Sequence, residues 1–155
     1  MLEHAMLAAV ESAQEGIIKG EGGPFGAAIV MDAKVIATGH NTVLKDRDPT
    51  CHAEMNAIRK ASKVLGNHVL SACTLYTTAE PCPMCLAAIL WARIPTVVVG
   101  VSRQVAAQYG FDDALFYEQL ALPDTKKMIK IQTGYCPVQC EGLFKTWQEK
   151  EGAIY

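Results

Sequence analysis

Residues 73–101 read CTLYTTAEPCPMCLAAILWARIPTVVVGV, and this stretch decides the fold. Cys73 to Thr78 is short and rich in β-branched and aromatic side chains, the composition of a strand. Glu80-Pro81-Cys82-Pro83 interrupts it, and a proline can open a helix because the N–H it lacks would have no partner there. Met84 to Ala92 is compatible with a helix, Arg93 and Pro95 end it, and Thr96 to Val101 is a second, buried strand. Strand, helix, strand implies parallel pairing through a right-handed crossover, and so an α/β architecture.

Toward the N-terminus, Leu2, Met6, Ala9, Val10, Ala13 and Ile17 recur at helical spacing until Gly20-Glu21-Gly22-Gly23-Pro24 stops the pattern. Gly26 to Met31, a turn at Asp32-Ala33-Lys34, and Val35 to Gly39 predict a hairpin. Asn41 to Thr50 is a polar loop. Met55, Ile58, Ser62 and Leu65 share one face of a helix that starts near Pro49 to His52. Beyond the decisive stretch, Ala106 to Leu122 is compatible with a further helix, and Lys127 to Ile131 alternates like an edge strand guarded by lysines. Pro137 opens a last helix with Cys140, Phe144 and Trp147 on one face. The expectation is one domain over residues 1–155: a three-layer α/β/α sandwich around a mixed five-stranded sheet.

Composition limits the function. Half of the 155 residues are hydrophobic and 19% are charged, which excludes disordered and fibrous classes. The net charge of −2, from 14 basic and 16 acidic residues, lacks the basic footprint of a nucleic-acid binder. Leu86 to Val101, the longest apolar stretch, contains Arg93 and Pro95, so no segment reads as a membrane span. Glu3, His4, Glu11 and Glu15 occupy the start, where an export signal needs a basic end and an apolar core. A cytoplasmic setting follows as an expectation, in which the six cysteines are core thiols, metal ligands or catalysts rather than disulfides.

The chemistry concentrates in His52-Ala53-Glu54 and Pro81-Cys82-Pro83-Met84-Cys85, each placed where a helix begins. Cys82 and Cys85 are three apart, which puts both sulfurs on one helical face, and His52 from a second helix start can complete a three-ligand zinc site with an open position for water. Zinc drops the pKa of that water from about 15.7 toward 7, and two helix N-termini favour the anionic ligands. Glu54, two residues from His52, projects away from the ligand direction and is suited to carry a proton instead. Histidine-x-glutamate together with proline-cysteine-x-x-cysteine is the signature of zinc nucleobase deaminases. Two other readings use the same cysteines. A dithiol redox centre fits Cys82 and Cys85 at a helix start but leaves His52 and Glu54 without a role. A closed structural zinc site could add Cys136 and Cys140, although their spacing is a poor match.

At these motifs the chain resembles the cytidine deaminase superfamily, in the branch with a histidine ligand. Gly22-Gly23-Pro24-Phe25-Gly26-Ala27, Asp48-Pro49-Thr50, Tyr76-Thr77-Thr78-Ala79-Glu80, Trp91-Ala92-Arg93, Gly110-Phe111-Asp112-Asp113 and a terminal Tyr155 extend the resemblance, over nearly the whole length, to the bacterial guanine deaminases. The resemblance implies a cytidine deaminase-like fold and a role in purine metabolism, converting guanine to xanthine and ammonia. It carries zinc ligation to His52, Cys82 and Cys85 and proton transfer to Glu54. It also implies that Asn41 bonds the base edge and that Asp113, or Asp112 in its place, accepts from the amino group or a ring N–H. Phe25 and Trp91 are implied stacking surfaces, and Ala53 is implied as a further substrate contact. The implied partner is a free nucleobase, with neither nucleic acid nor membrane. A homodimer that exchanges C-terminal segments would bring Tyr155 over the neighbouring site. Other small amino-heterocycles, of cytosine or triazine type, and tRNA adenosine are the rival substrates. Ser102 to Ala107 departs from the lysine-x-glycine-alanine element of tRNA-editing relatives, which counts against tRNA. Cys51 departs too, since relatives carry a small apolar residue there; it reads as a buried thiol or as an oxidation-sensitive one.

Overall fold

Residues 2–155 are described by the computed structural model. The uninterrupted apolar run Gly26–Met31 forms β1, an interior strand that needs no polar face because both of its sides are covered. Lys34–His40 forms β2, antiparallel to it, and the hairpin closes through Asp32 and Ala33, both at positive φ (50° and 61°) as a two-residue turn with the twist of the strands requires. Thr74–Ala79 (β3) pairs antiparallel on the other side of β1, and Thr96–Val101 (β4) pairs parallel to β3. The strand order is β2-β1-β3-β4.

Alternation along β1 builds the layers. Ala28 and Val30, with Tyr76 of β3, pack against Ala5 and Ala9 of α1 (Glu3–Ile18). Ala27 and Ile29, with Ala37 and Leu75, face Ala53, Ala57 and Ala61. Those three alanines line one side of α3 (Ala53–Leu65), and Ile89 of α4 (Pro83–Trp91) joins the same core. The alanine stripe lets α3 lie close on the sheet, and Gly39 completes the fit: a methyl there would stand 2.6 Å from the Ala53 carbonyl oxygen and the Ala57 nitrogen. This close seating holds the start of α3 at the C-terminal end of β2. The observed fold is thus a three-layer α/β/α arrangement on a mixed sheet.

The sheet has four strands among the described residues, not the expected five. Lys127 to Ile131 is irregular, following a 3-10 turn at Asp124–Lys126. Its alternation marks it as able to pair, but a strand exists only where a ladder partner is available, and the segment around it contains none. The helix expected over Ala106 to Leu122 is divided into Arg103–Gln108 (α5) and Ala114–Ala121 (α6), with Gly110 at φ 92° between them. The loop after β2 contains a short helix, α2 (Val43–Asp46). The last helix, α7 (Pro137–Glu149), starts at the expected proline.

The chain divides into two compact units, one reaching to Tyr117 and carrying the sheet, the other Glu118–Tyr155. In the second unit Trp147 donates its indole N–H to the Ala153 carbonyl at 3.3 Å, and Leu143, Phe144 and Ile154 are exposed. No helix among the described residues is long and apolar enough to cross a membrane.

Candidate metal centre

Two helix starts bring the signature together. His52 is the N-cap of α3 and Cys82 the N-cap of α4, both with extended backbone, and Pro83 opens α4 at the position where its missing N–H costs nothing. His52 Nδ1 lies 3.5 Å from Cys82 Sγ and 3.6 Å from Cys85 Sγ, and all three donor atoms fall within 4.8 Å of one another. A tetrahedral ion with Zn–S near 2.3 Å and Zn–N near 2.05 Å requires N···S separations of about 3.5–3.6 Å, so the donor set fits zinc in spacing as well as in its soft sulfur and imidazole character. Among the described residues this is the one group of three metal-ligating side chains. Cys136 and Cys140 stand exposed at the start of α7 and do not belong to it.

The charges agree with that assignment. The hydrogen bond from the Cys85 thiol and the His52 ring beside it hold Cys82 down at about 4, a thiolate at neutral pH. The same bond to Cys82, together with burial, raises Cys85 above the ordinary thiol range, so the pair shares one proton that a cation would displace. The bond to Cys82 raises His52. Glu54 is 6% exposed in the first turn of α3, with Oε2 3.4 Å from Cys85 Sγ. Burial raises its pKa above the ordinary carboxylate value.

Of the expected substrate-side residues, Phe25 precedes β1, Asn41 follows β2, and Asp112 and Asp113 precede α6. Asn41 is buried at the end of β2, and its Oδ1 accepts from the Gly23 N–H at 3.2 Å and the Val43 N–H at 3.1 Å. Those two donors fix which way the amide points, with Oδ1 accepting and Nδ2 as the donor end. Asp113 precedes α6, and burial followed by the charge of Cys82 raises its carboxyl above the usual range, which places it within electrostatic reach of the cluster. Asp112 instead turns back to accept from the Ala114 N–H at 3.0 Å, as a helix-start residue does. Phe25 meets Phe111 edge to face, with centroids 4.9 Å apart, and this aromatic pair adjoins the Gly22-Gly23 turn.

Trp91 ends α4, six residues and about 9 Å of helix beyond Cys85, and is 62% exposed. The Ala53 methyl is fully buried in the core. Tyr155 lies in the C-terminal unit and is exposed. Cys51 is buried, with the Arg59 guanidinium 3.6 Å from its sulfur. The sequence reading missed three contributors: Phe111, the ring on Phe25; Tyr117, which bonds the loop before Cys82; and Gly22, whose added methyl would strike Asn41 Oδ1 at 2.2 Å. Phe111 falls in a segment quoted for its resemblance, and that signal could have found it.

Comparison with known proteins agrees with this geometry. The profile of the cytidine and deoxycytidylate deaminase zinc-binding region matches residues 1–101. Guanine deaminase of Bacillus subtilis (strain 168) is 51% identical over 121 residues, 78% of each chain. The X-ray structure of guanine deaminase from Bacillus subtilis superposes with a TM-score of 0.89 at 44% identity, covering 95% of this chain and 93% of that one. A tRNA-specific adenosine deaminase of Streptococcus pyogenes is 35% identical over 142 residues, 92% of this chain and 86% of that protein.

Proposed function

The chain belongs to the family of cytidine and deoxycytidylate deaminases with a zinc-binding region, and from that premise we propose that it hydrolyses guanine to xanthine and ammonia. The observation that carries the reaction class is the convergence of His52, Cys82 and Cys85 with the buried Glu54 carboxyl 3.4 Å from Cys85. His52, Cys82 and Cys85 would hold a zinc ion, which would lower the pKa of a water toward neutrality. Glu54 takes one proton from the attacking water and passes it to a ring nitrogen of the purine as the water oxygen bonds to the amino-bearing carbon, then takes the second proton from that oxygen and passes it to the amine, which departs as ammonia when the C–N bond breaks. Asn41 donates from Nδ2 to an acceptor on the base edge. Asp113 accepts from the amino group or a ring N–H, and Asp112, engaged at its own helix start, is the weaker choice. Phe25 and Phe111 form one wall against the ring.

Guanine rather than tRNA is supported by the higher identity, 51% against 35%, and by the net charge of −2. The C-terminal unit has no buried side chain, and α4 exposes Leu86, Leu90 and Trp91. Both features support a homodimer in which Glu118–Tyr155 completes the partner's deaminase domain and Tyr155 and Trp91 act at the shared boundary. Six free cysteines suit a reducing cytoplasm.

Ammonia release from zinc-assayed protein, offered guanine, cytosine, adenine and a tRNA anticodon stem side by side, tests the reading. About one zinc per chain with guanine-dependent ammonia is expected. Zinc with release from another base or from the tRNA stem would reassign the substrate, and purified protein without zinc would overturn the mechanism.

A further inference from the structure

Asn56 lies on α3, two residues beyond Glu54, and its amide makes an unusual set of contacts. Nδ2 is 2.9 Å from the His40 carbonyl, 2.9 Å from Thr42 Oγ1 and 3.4 Å from the Cys51 carbonyl, while Oδ1 accepts from the Arg59 guanidinium at 3.2 Å. His40 and Thr42 flank Asn41, and Cys51 precedes His52. The same two segments are joined a second time where the Thr42 N–H donates to the Cys51 carbonyl at 2.9 Å. The amide cannot be reversed, because Oδ1 would then face two carbonyl oxygens and Nδ2 a guanidinium.

From this geometry we propose that Asn56 is a positioning residue that sets the register between the base-binding Asn41 and the metal ligand His52. The inference rests on the reading of Asn41 as a substrate contact. Asn41 is held at its side chain by Gly23 and Val43 and at its backbone by the Phe25 carbonyl, 3.1 Å from its N–H, and its neighbours His40 and Thr42 are tied to α3. Asn56 supplies that hold from the helix that begins at the metal ligand. A slip of the strand end would leave the metal cluster intact and move the Nδ2 donor away from the base edge.

Asn56→Asp is nearly isosteric and keeps an oxygen for Arg59, but it replaces the donor by an oxygen opposed to two carbonyls. In the zinc-loaded enzyme it is expected to raise KM for guanine, and Kd for xanthine by calorimetry, about tenfold with zinc per chain unchanged and kcat altered less. Asn41→Asp keeps the acceptor for Gly23 and Val43 and removes only the donor, so it should weaken binding by itself. In that background Asn56→Asp should add less than about twofold, because the donor it positions is already gone. Thr42→Val, which removes one acceptor of the Asn56 amide together with the Thr42 bond to Asp46, should reproduce part of the KM effect, and the loss of that effect in the Asn41→Asp background carries the same test if Asn56→Asp does not fold. A full additional tenfold in the Asn41→Asp background overturns the positioning role while leaving the Asn41 reading standing. Loss of zinc in Asn56→Asp also overturns it. If Asn41→Asp alone leaves KM and Kd unchanged, the Asn41 reading fails and the proposal with it.

Discussion

The phenol of Tyr117 donates a 2.8 Å hydrogen bond to the backbone carbonyl of Pro81, the residue before the zinc ligand Cys82. Burial raises the phenol pKa, so the donor is neutral and present throughout the working range. The Arg103 guanidinium lies 4.4 Å over the same ring, and the Arg103 N–H donates to the Glu80 carboxylate at 3.0 Å. Since Asp113 lies four residues before Tyr117, just ahead of α6, this bond ties the proposed substrate carboxylate to the turn that presents Cys82. Tyr117→Phe should cost about 1 kcal/mol of stability and raise KM for guanine about fivefold. Zinc should pass to a colorimetric chelator faster than from the parent protein. Unchanged unfolding temperature, KM and zinc release would mean that the bond holds nothing.

Glu54→Gln separates proton transfer from metal binding. The carboxyl is 3.4 Å from Cys85 Sγ but contributes no ligand atom to the His52, Cys82, Cys85 group. The amide keeps the shape and cannot carry a proton, so kcat should fall by about 10²–10⁴-fold with zinc stoichiometry unchanged. Full ammonia release by this variant would remove Glu54 from the chemistry.

The parts legible from the amino-acid order are those whose signal is local. The strand-helix-strand stretch and the two signature motifs each specify a backbone conformation within a few residues, and the cluster formed as that spacing implies, although 30 positions separate His52 from Cys82. The five-strand expectation failed because Lys127 to Ile131 has the alternation of a strand but no ladder beside it in its own segment. Tyr117 and Asn56 escaped for the opposite reason. Their roles come from contacts across the fold, such as the 36 positions between Tyr117 and Pro81, and an isolated tyrosine or asparagine carries no periodicity. Adjacent and chemically identical, Asp112 and Asp113 differ only through the fold, where Asp112 accepts from the Ala114 N–H.

Glu21 sets an acid limit on this arrangement. Its carboxylate meets His40 Nε2 at 2.7 Å and Lys45 Nζ at 2.9 Å, and Ser12 Oγ lies 3.2 Å from the other ring nitrogen of His40. The bonds to His40 and Lys45 lower the Glu21 pKa from 4.5 to about 2. The folded state therefore binds fewer protons than the unfolded chain between these values. The resulting stabilisation is complete above about 4.5 and is lost as pH falls toward 2. Glu15 and Asp48 are lowered as well, so the parent protein has several contributions in the same direction. Urea midpoints measured from pH 6 to 2.5 should converge for the parent and Glu21→Gln as pH falls, with the parent ahead at pH 6. A constant gap across the range would show that the Glu21 charge contributes nothing.

Gly22 tests the substrate amide from its own side. A Cβ at this position would stand 2.2 Å from Asn41 Oδ1, 2.4 Å from the Asn41 carbonyl oxygen and 2.7 Å from its carbonyl carbon. Side-chain rotation relieves the first contact only; the other two are with backbone, so either the Gly22-Gly23 turn or the end of β2 must shift. The shift would also weaken the 3.2 Å bond from the Gly23 N–H that orients the amide. The metal ligands lie on α3 and α4, outside the displaced turn. Gly22→Ala should therefore raise KM for guanine about tenfold or more, with zinc per chain intact and kcat reduced less than kcat/KM. Equal losses in kcat and kcat/KM with an unchanged KM would assign this turn to the chemical step, and the account of Asn41 as the ground-state anchor of the base would fall.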